Sequence, residues 1–182
     1  KDVLKTKITV PSIIKPTSGG SSIGIKKILK DEQISEKIFN RADNIDEDYL
    51  VEDFIEGREI TVGVLDNKIC GITEIITNAK FYDFKSKYVN VAKHIQDPKL
   101  PKDIFKELEK NSLLAHNILD CNFISRSDFR YDERNHKLYL LEINTQPGLT
   151  SDSLIPEMAK KNGISFNKLC NMLIDSAKCE KF

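Results

Sequence analysis

The sequence predicts an α+β fold built from antiparallel sheets with flanking helices. Two stretches, residues 58–75 and 124–144, each contain two β-rich runs around a polar turn, which is the pattern of a hairpin. Strands and helices do not alternate regularly along the chain, as they would in a doubly wound parallel sheet. Gly57 interrupts the chain before the first hairpin, so we expect two lobes, residues 1–56 and 57–182.

Composition excludes some classes of function. Of the 182 residues, 40% are hydrophobic, which is enough to build a core. The 28 basic and 28 acidic side chains cancel, which argues against a nucleic-acid partner bound through bulk charge. No segment is apolar over the length that spans a bilayer, so we expect a soluble protein with no membrane partner.

The cysteines indicate a reducing compartment. None of the four forms a CxxC pair or a zinc-finger spacing with histidine, and they are Cys70, Cys121, Cys170 and Cys179. We therefore predict reduced thiols and a cytoplasmic location. The chain begins at Lys1 without a methionine, and we expect it to be part of a longer protein.

The first lobe is expected to hold two strands, a loop and a helix. Residues 8–16 are predicted to form a strand that ends at Pro16, and residues 48–55 form a second strand. Between them, a helix is predicted from a cap at Asp31 to about Arg41.

The loop from Thr17 to Gly24 has the composition of a phosphate-binding loop. With Pro16 and Lys15 before it, it reads "KPTSGGSSIG", with three glycines and three serines next to a lysine. Glycine lets backbone N–H groups approach an anion closely, and serine adds hydroxyl donors. The stretch matches neither the Walker A pattern nor GxGxxG. Taken alone, it is equally consistent with a flexible surface loop.

The second lobe begins with a hairpin whose turn is Asp66-Asn67, followed by an irregular aromatic segment, residues 81–88. A helix is predicted over residues 102–119, with apolar residues on or near one face: Ile104, Leu108, Ala115 and Leu119. After the second hairpin, two short helices flank Gly163. The three histidines have no motif context, and we interpret them as ordinary surface or helix residues: His94, His116 and His136.

The second hairpin places polar side chains together. Its turn is predicted at residues 133–137. The pairings that follow are Asp132 with Leu138, Asp128 with Glu142, and Arg126 with Asn144. Because side chains alternate along a strand, the last two pairs share one face, while the other face would carry a core of Phe129, Tyr131, Leu141 and Ile143.

This predicted face suits a divalent metal. Two carboxylates and an amide oxygen are hard ligands of the kind that Mg²⁺ or Mn²⁺ prefers. The alternative is a solvated sheet face with a surface ion pair between Arg126 and Asp128. A Pro-Gly turn, Pro147-Gly148, follows the strand directly and favours the functional interpretation.

Several segments together resemble the D-alanine–D-alanine ligase family of the ATP-grasp superfamily. They occur in family order between Ile13 and Ala159: "IIKPTSGGSSIGI", "VEDFIEGREITVGVL", "FYDFKSKY", "SRSDFR" and "LLEINTQPGLTSDSLIPEMA". The resemblance implies an ATP-grasp fold. It makes residues 1–56 the second part of the central lobe and residues 57–182 the carboxy-terminal lobe. An amino-terminal domain and the first part of the central lobe would precede Lys1.

The resemblance implies an ATP site in which Lys15 meets the phosphates and the strand around Asp53 meets the adenine. The implied nucleotide-binding residues are Lys15, Ser21, Ser22, Glu52, Asp53, Phe54, Glu59 and Lys87. Without the family context, Glu52 and Glu59 would be interpreted as surface charges on strands, and residues 81–88 as a surface loop anchored by aromatic side chains.

The resemblance also implies metal and substrate roles. Two Mg²⁺ (or Mn²⁺) ions would be held by Asp128, Glu142 and Asn144. The implied substrate-binding residues are Tyr82, Tyr88, Arg126, Gly148, Ser153 and Leu154, and the implied catalytic residues are Ser21, Tyr88, Arg126 and Ser153. Alone, Ser153 could equally be a helix N-cap. The family commonly has Arg-Gly where this chain has Asn122 and Phe123, a departure that leaves the metal ligands in place.

The implied function is ATP-dependent ligation of two D-alanines through an acyl phosphate, for peptidoglycan synthesis in the cytoplasm, by an enzyme that is a homodimer at full length. Three alternatives remain open. The acceptor could be D-lactate, the protein could be another ATP-grasp carboxylate–amine ligase, or this piece could be a nucleotide-binding module without activity of its own.

Overall fold

The structure, a computed structural model, describes residues 9–18, 22–29, 48–76 and 92–177. These residues belong to two compact units. One contains the described residues up to Ile55 together with Ala92, and the other contains Glu56–Ile76 and the described residues from Lys93 onward. Across the described residues, no helix is both long enough and apolar enough to cross a bilayer.

The first unit contains a three-stranded antiparallel sheet. Its strands are β1 (Ser12–Pro16), β2 (Lys26–Ile28) and β3 (Tyr49–Asp53), in the order β2-β1-β3. β1 begins later than predicted, after Pro11, which has no N–H to donate to a neighbouring strand. The prediction missed β2 because three residues are too few to show alternation. The helix predicted near residues 31–41 lies outside the described residues.

The second unit contains a five-stranded antiparallel sheet in the order β6-β5-β4-β7-β8, with three described helices. The strands are β4 (Arg58–Leu65), β5 (Lys68–Ile76), β6 (Lys93–Gln96), β7 (Ile124–Asp132) and β8 (Lys137–Asn144). The helices are α1 (Lys102–Ile118), α2 (Leu154–Lys161) and α3 (Phe166–Ser176). Both predicted hairpins, β4–β5 and β7–β8, are confirmed.

The turn of the first hairpin explains why the hairpin could be predicted from the sequence. Asp66 and Asn67 both have positive φ, 52° and 56°, as a two-residue turn that matches the twist of the strands requires.

Helix α2 packs against the β4–β5 hairpin at two glycines, which have no side chains. A Cβ added at Gly63 or Gly71 would lie 2.8 or 2.9 Å from an atom of Met158. The two glycines therefore let α2 approach the sheet closely.

Helix α1 buries a face that is apolar at one end and polar at the other. The buried residues follow an exact four-residue step: Ile104, Leu108, Ser112 and His116. The prediction that Leu119 belongs to this face is wrong, because Leu119 ends the helix and is 52% exposed. The pattern of apolar residues could not reveal that two polar residues complete the buried face.

His116 lies on a helix, as predicted, but it is fully buried. Its Nδ1 is 2.7 Å from Oγ of Ser125 on β7, which is also fully buried. Burial lowers the pKa of His116 from its ordinary value because the charged imidazolium would lose its hydration. The neutral imidazole is therefore the form that the fold stabilises.

We expect acid to destabilise the second unit through His116. The lowered pKa means that the unfolded chain binds a proton more readily than the folded one once the pH falls below about 6.5. Stability from this group is therefore complete above that pH and is lost as the pH falls towards the lower folded pKa. Urea unfolding from about pH 7.5 to about pH 5.5 should show a smaller loss for His116→Gln than for the wild type. Equal losses in the two proteins would contradict this assignment.

Candidate active site

Strands β7 and β8 bring four polar side chains to one face of the second sheet. The register pairs Arg126 with Asn144 and Asp128 with Glu142, as predicted. Along β7, the residues that alternate with Arg126 and Asp128 are buried, so the polar pair projects from the face opposite the cluster that contains Phe129 and Tyr131.

The register nearer the turn differs from the prediction. Asp132 pairs with Lys137 rather than with Leu138, because the turn is one residue shorter than predicted. An irregularity beside Asp128 absorbs the extra residue on β8, as a β-bulge does, and Leu141 is left outside the pairing. The expectation that Leu141 joins the core is therefore wrong, since it is 44% exposed. Phe129 and Tyr131 are buried as predicted, and Ile143 is half-buried.

Asp128 is the centre of a hydrogen-bond network. Nε and a terminal nitrogen of Arg126 donate to its two oxygens at 2.9 and 2.8 Å, and the hydroxyl of Thr61 donates at 2.7 Å. The side-chain amide of Asn144 donates to Asp128 at 3.2 Å and to Glu142 at 3.3 Å. Arg126 and Asp128 are only 17% and 16% exposed, so their interaction is partly shielded from water.

Thr61 is a contributor that the sequence analysis missed. It lies on β4 directly opposite Asp128, and its side chain is fully buried. No local pattern could have identified it, because the pairing of β4 with β7 joins residues far apart in sequence. Its hydroxyl and Nε of Arg126 donate to the same oxygen of the Asp128 carboxylate, and together they orient it.

We expect Thr61→Val to weaken the function of Asp128 without removing it. The variant keeps the shape of the side chain but takes away a buried donor, and losses of this kind at supporting residues are typically about tenfold or more. Thr61→Ser retains the hydroxyl and should stay close to wild type. The measurement is kcat/KM of the full-length protein in the ATP-dependent reaction that the resemblance implies, and an unchanged value in Thr61→Val would exclude the supporting role.

The turn after β8 joins Gly148 to the start of α2. Ser153 occupies the N-cap position of α2, but its hydroxyl accepts from the Thr150 N–H at 3.1 Å instead of capping the helix. A Cβ at Gly148 would lie 3.2 Å from Oγ of Ser153. Leu154 is the first helical residue, and N–H groups at this position have no intrahelical partner. Ser153 therefore occupies the N-cap position, as the alternative predicts, but its hydroxyl does not cap the helix.

Glu59, also in the second unit, is part of an ion pair. Its carboxylate lies 2.9 Å from a guanidinium nitrogen of Arg130 on β7, and the two side chains are 18% and 19% exposed. Arg130 also donates to the carbonyl of Gly57. Glu59 is therefore held in place at the start of β4, and its predicted contact with the nucleotide stays a prediction.

In the first unit, Lys15 and Glu52 pair with each other. The Lys15 ammonium lies 2.7 Å from the Glu52 carboxylate, across strands β1 and β3. Both side chains are partly accessible, at 25% and 47%. Two residues predicted to meet one nucleotide thus lie within contact distance.

In β3, the backbone N–H and C=O of Asp53 are available to a ligand, whereas the N–H of Phe54 is not. That N–H donates to the carbonyl of Pro11 at 3.0 Å. Asp53 pairs with Ser12, and this register points the Asp53 N–H and C=O away from β1. Among the described strands, β3 lies at the edge of its sheet, so those two groups face outward. The ring of Phe54 lies under the ammonium of Lys27, 3.4 Å from its centroid.

Several predicted site residues lie outside the described part of the chain: Ser21, Tyr82, Lys87 and Tyr88. Ser22 is described, and it has a positive φ of 59°. This left-handed conformation is uncommon for a residue other than glycine. Ser22 therefore lies in a tight turn of the predicted phosphate loop.

A family model described as the C-terminus of D-ala D-ala ligase matches residues 1–175. The chain belongs to this family. A D-alanine–D-alanine ligase from Rhodospirillum rubrum is 39% identical over 178 residues, covering 97% of this chain and 58% of that protein. One from Wolbachia pipientis is 42% identical over 181 residues, covering 97% of this chain and 57% of that protein. The chain thus spans a little over half the length of these relatives.

Solved ligase structures agree with the fold. The D-alanine–D-alanine ligase of Bacillus anthracis complexed with ATP is 29% identical, with a TM-score of 0.72 over 96% of this chain and 54% of that one. The VanG D-Ala:D-Ser ligase of Enterococcus faecalis is 28% identical, with a TM-score of 0.75 over 94% of this chain and 51% of that one. The predicted α+β ATP-grasp fold is confirmed.

The donors of this ligase-family chain fit a divalent cation. Asp128, Glu142 and Asn144 supply two carboxylates and an amide, and the Asn144 amide nitrogen donates to both carboxylates. The amide would have to turn over to present its oxygen to an ion at the same position. The described residues contain no group of three or more carboxylate, histidine or cysteine side chains that could hold a metal. A Mg²⁺ or Mn²⁺ ion would therefore use the Asn144 amide oxygen and non-protein oxygens to complete its coordination.

Proposed function

We propose that the full-length protein ligates two D-alanines to D-alanyl-D-alanine at the expense of ATP, for peptidoglycan synthesis. The observation that carries the proposal is the convergence of four side chains on one sheet face, in a chain of this ligase family: Arg126, Asp128, Glu142 and Asn144. They supply a positive charge and a set of oxygen ligands next to each other. Phosphoryl transfer followed by attack on an acyl carbon needs both.

The nucleotide would be held in part by the first unit. Lys15, Ser21 and Ser22 meet the phosphates, and the Glu52 carboxylate with the outward backbone groups of Asp53 meets the adenine or ribose. Because Lys15 and Glu52 pair with each other, binding would exchange that ion pair for contacts with the ligand. Phe54, Glu59 and Lys87 complete the proposed set.

The first chemical step forms an acyl phosphate. The carboxylate of the first D-alanine attacks the γ-phosphorus of ATP, and ADP leaves. Two Mg²⁺ or Mn²⁺ ions, when bound, would offset the charge of the transferring group. Asp128, Glu142 and Asn144 would hold them, and Thr61 orients the Asp128 carboxylate.

The second step forms the peptide bond. The amine of the second D-alanine attacks the acyl carbon, and inorganic phosphate leaves from the tetrahedral intermediate. Arg126 and the Gly148 N–H donate to the oxyanion that develops there. The Ser153 hydroxyl and the Leu154 N–H bind the carboxylate of the second D-alanine, and Tyr82 and Tyr88 shape its site.

A second acceptor has specific support, because the VanG D-Ala:D-Ser ligase is among the similar structures. The test is phosphate release by the full-length protein with ATP and D-alanine, alone and with D-serine or D-lactate. We expect D-alanine alone to support dipeptide formation, with Mg²⁺ or Mn²⁺ required. Product containing only D-serine or D-lactate as the second residue would assign the protein to the alternative.

The remaining proposals concern the setting of the reaction. We place it in the cytoplasm, in a homodimer of the full-length protein, and we expect this chain alone to bind nucleotide with little ligation. Three of the cysteines are described, and all three are free thiols, which is compatible with that compartment: Cys70, Cys121 and Cys170.

A further inference from the structure

Two side-chain contacts hold helix α2 beside strand β6, one near each end of the helix. Nδ1 of His94 on β6 lies 2.6 Å from the carboxylate of Glu157, in the first turn of α2. Lys161, the last residue of α2, pairs with Asp97, which directly follows β6. The helix therefore lies alongside the strand, with a contact at its beginning and another at its end.

The two pairs differ in their exposure to water. The His94 and Glu157 side chains are 22% and 30% exposed, whereas those of Lys161 and Asp97 are 43% and 62% exposed. Polar contacts in open water compete with water and contribute little, and partly shielded contacts compete with it less. His94 is also fixed through its backbone, which pairs with Ile75 of β5. The first pair is thus the firmer attachment of α2 to the sheet.

Glu157 connects directly to the turn at the start of α2. Its backbone N–H donates to the carbonyl of Ser153 at 3.0 Å. The hydroxyl of Ser153 accepts from the Thr150 N–H at 3.1 Å, and Gly148 approaches the same hydroxyl closely. A displacement of Glu157 would therefore shift Ser153 and, with it, the turn that contains Gly148.

We propose that His94 and Glu157 form a positioning pair that sets the start of α2 for the second amino-acid substrate. The inference rests on the proposed function and extends it to two residues outside the binding site. In this proposal the two side chains act indirectly. They act by fixing Ser153 and Leu154, which bind its carboxylate. His94 also follows Tyr88 by six residues in sequence, so the pair anchors the chain just after the segment predicted to complete that site.

The test compares Glu157→Ala with Lys161→Ala, which removes the contact at the other end of the same helix. In the full-length protein, Glu157→Ala should raise the KM for the second D-alanine about tenfold or more and leave the KM for ATP unchanged. Glu157→Gln keeps a hydrogen-bonding group of the same size and should recover most of the loss. Lys161→Ala should stay within about twofold of wild type. His94→Ala repeats the test from the strand side.

Backbone amide exchange of residues 153–158 gives a second readout that does not depend on ligation. It should be faster in Glu157→Ala and unchanged in Lys161→Ala. Equal effects of the two alanine variants on KM and on exchange would overturn the inference. A wild type that forms no dipeptide would contradict the proposed function instead. The exchange comparison would then still decide whether the His94–Glu157 contact fixes the start of α2.

Discussion

Replacing Asp128 by alanine should abolish both ADP release and dipeptide formation in the full-length protein. The Asp128 carboxylate accepts hydrogen bonds from Thr61, Arg126 and Asn144, so its removal leaves three donors without their shared partner. It also removes one of the two carboxylates proposed to hold the metal. We expect a loss of at least about a hundredfold in D-alanine-dependent ADP release, because the charge of the transferring group is no longer offset.

Two further variants separate this effect from simple destabilisation. Asp128→Asn keeps the size of the side chain but removes its charge, and it should be nearly as inactive as the alanine variant. Asp103→Ala removes an exposed carboxylate that pairs with His136, and it should remain active. Near-normal ADP release by a folded Asp128→Ala protein would refute the metal-site assignment.

Replacing Arg126 by alanine should affect the second step more than the first. The guanidinium is proposed to meet the oxyanion that forms after the acyl phosphate, where losing one donor typically costs about 3 kcal/mol. Dipeptide yield should therefore fall about a hundredfold or more, while ADP release falls less, so that more ADP forms per dipeptide. The alternative of a surface ion pair predicts almost no change, since such pairs contribute under about 1 kcal/mol.

The geometry of Arg126 suggests a more discriminating substitution. It forms a two-pronged contact with Asp128 through Nε and a terminal nitrogen. Arg126→Lys restores the charge but not this planar geometry, so we expect only partial recovery of dipeptide formation. Arg134→Ala, which removes an 82% exposed arginine, is the matched control. Equal ratios of ADP to dipeptide in wild type and Arg126→Ala would contradict the oxyanion role.

The second hairpin illustrates what sequence could and could not predict. Alternation along β7 correctly placed Arg126 and Asp128 on one face, because that periodicity is a property of the strand itself. The turn is one residue shorter than predicted, and the bulge beside Asp128, which no sequence pattern predicts, compensates for it, so that Asp128 still pairs with Glu142. Bulges depend on how two strands compensate for an unequal number of residues, which neither strand shows alone.

Contacts between elements that are distant in sequence could not be predicted from local sequence patterns. Thr61 on β4 and His116 on α1 showed no motif, yet one supports Asp128 and the other completes a buried helix face. The ion pair between Lys15 and Glu52 was not predicted either, because the resemblance assigns each residue its own contact with the nucleotide. Such contacts depend on the relative placement of strands and helices, which local patterns do not encode.

The most direct test of the account is a crystal structure of the full-length protein with Mn²⁺ and a non-hydrolysable ATP analogue. We predict anomalous density for Mn²⁺ at coordination distance, about 2.1 Å, from oxygens of Asp128, Glu142 and Asn144. The Arg126 guanidinium should then lie beside the metal site rather than between the metal and the carboxylate of Asp128. Bound nucleotide with its metal ions away from these three residues would contradict the proposed active site.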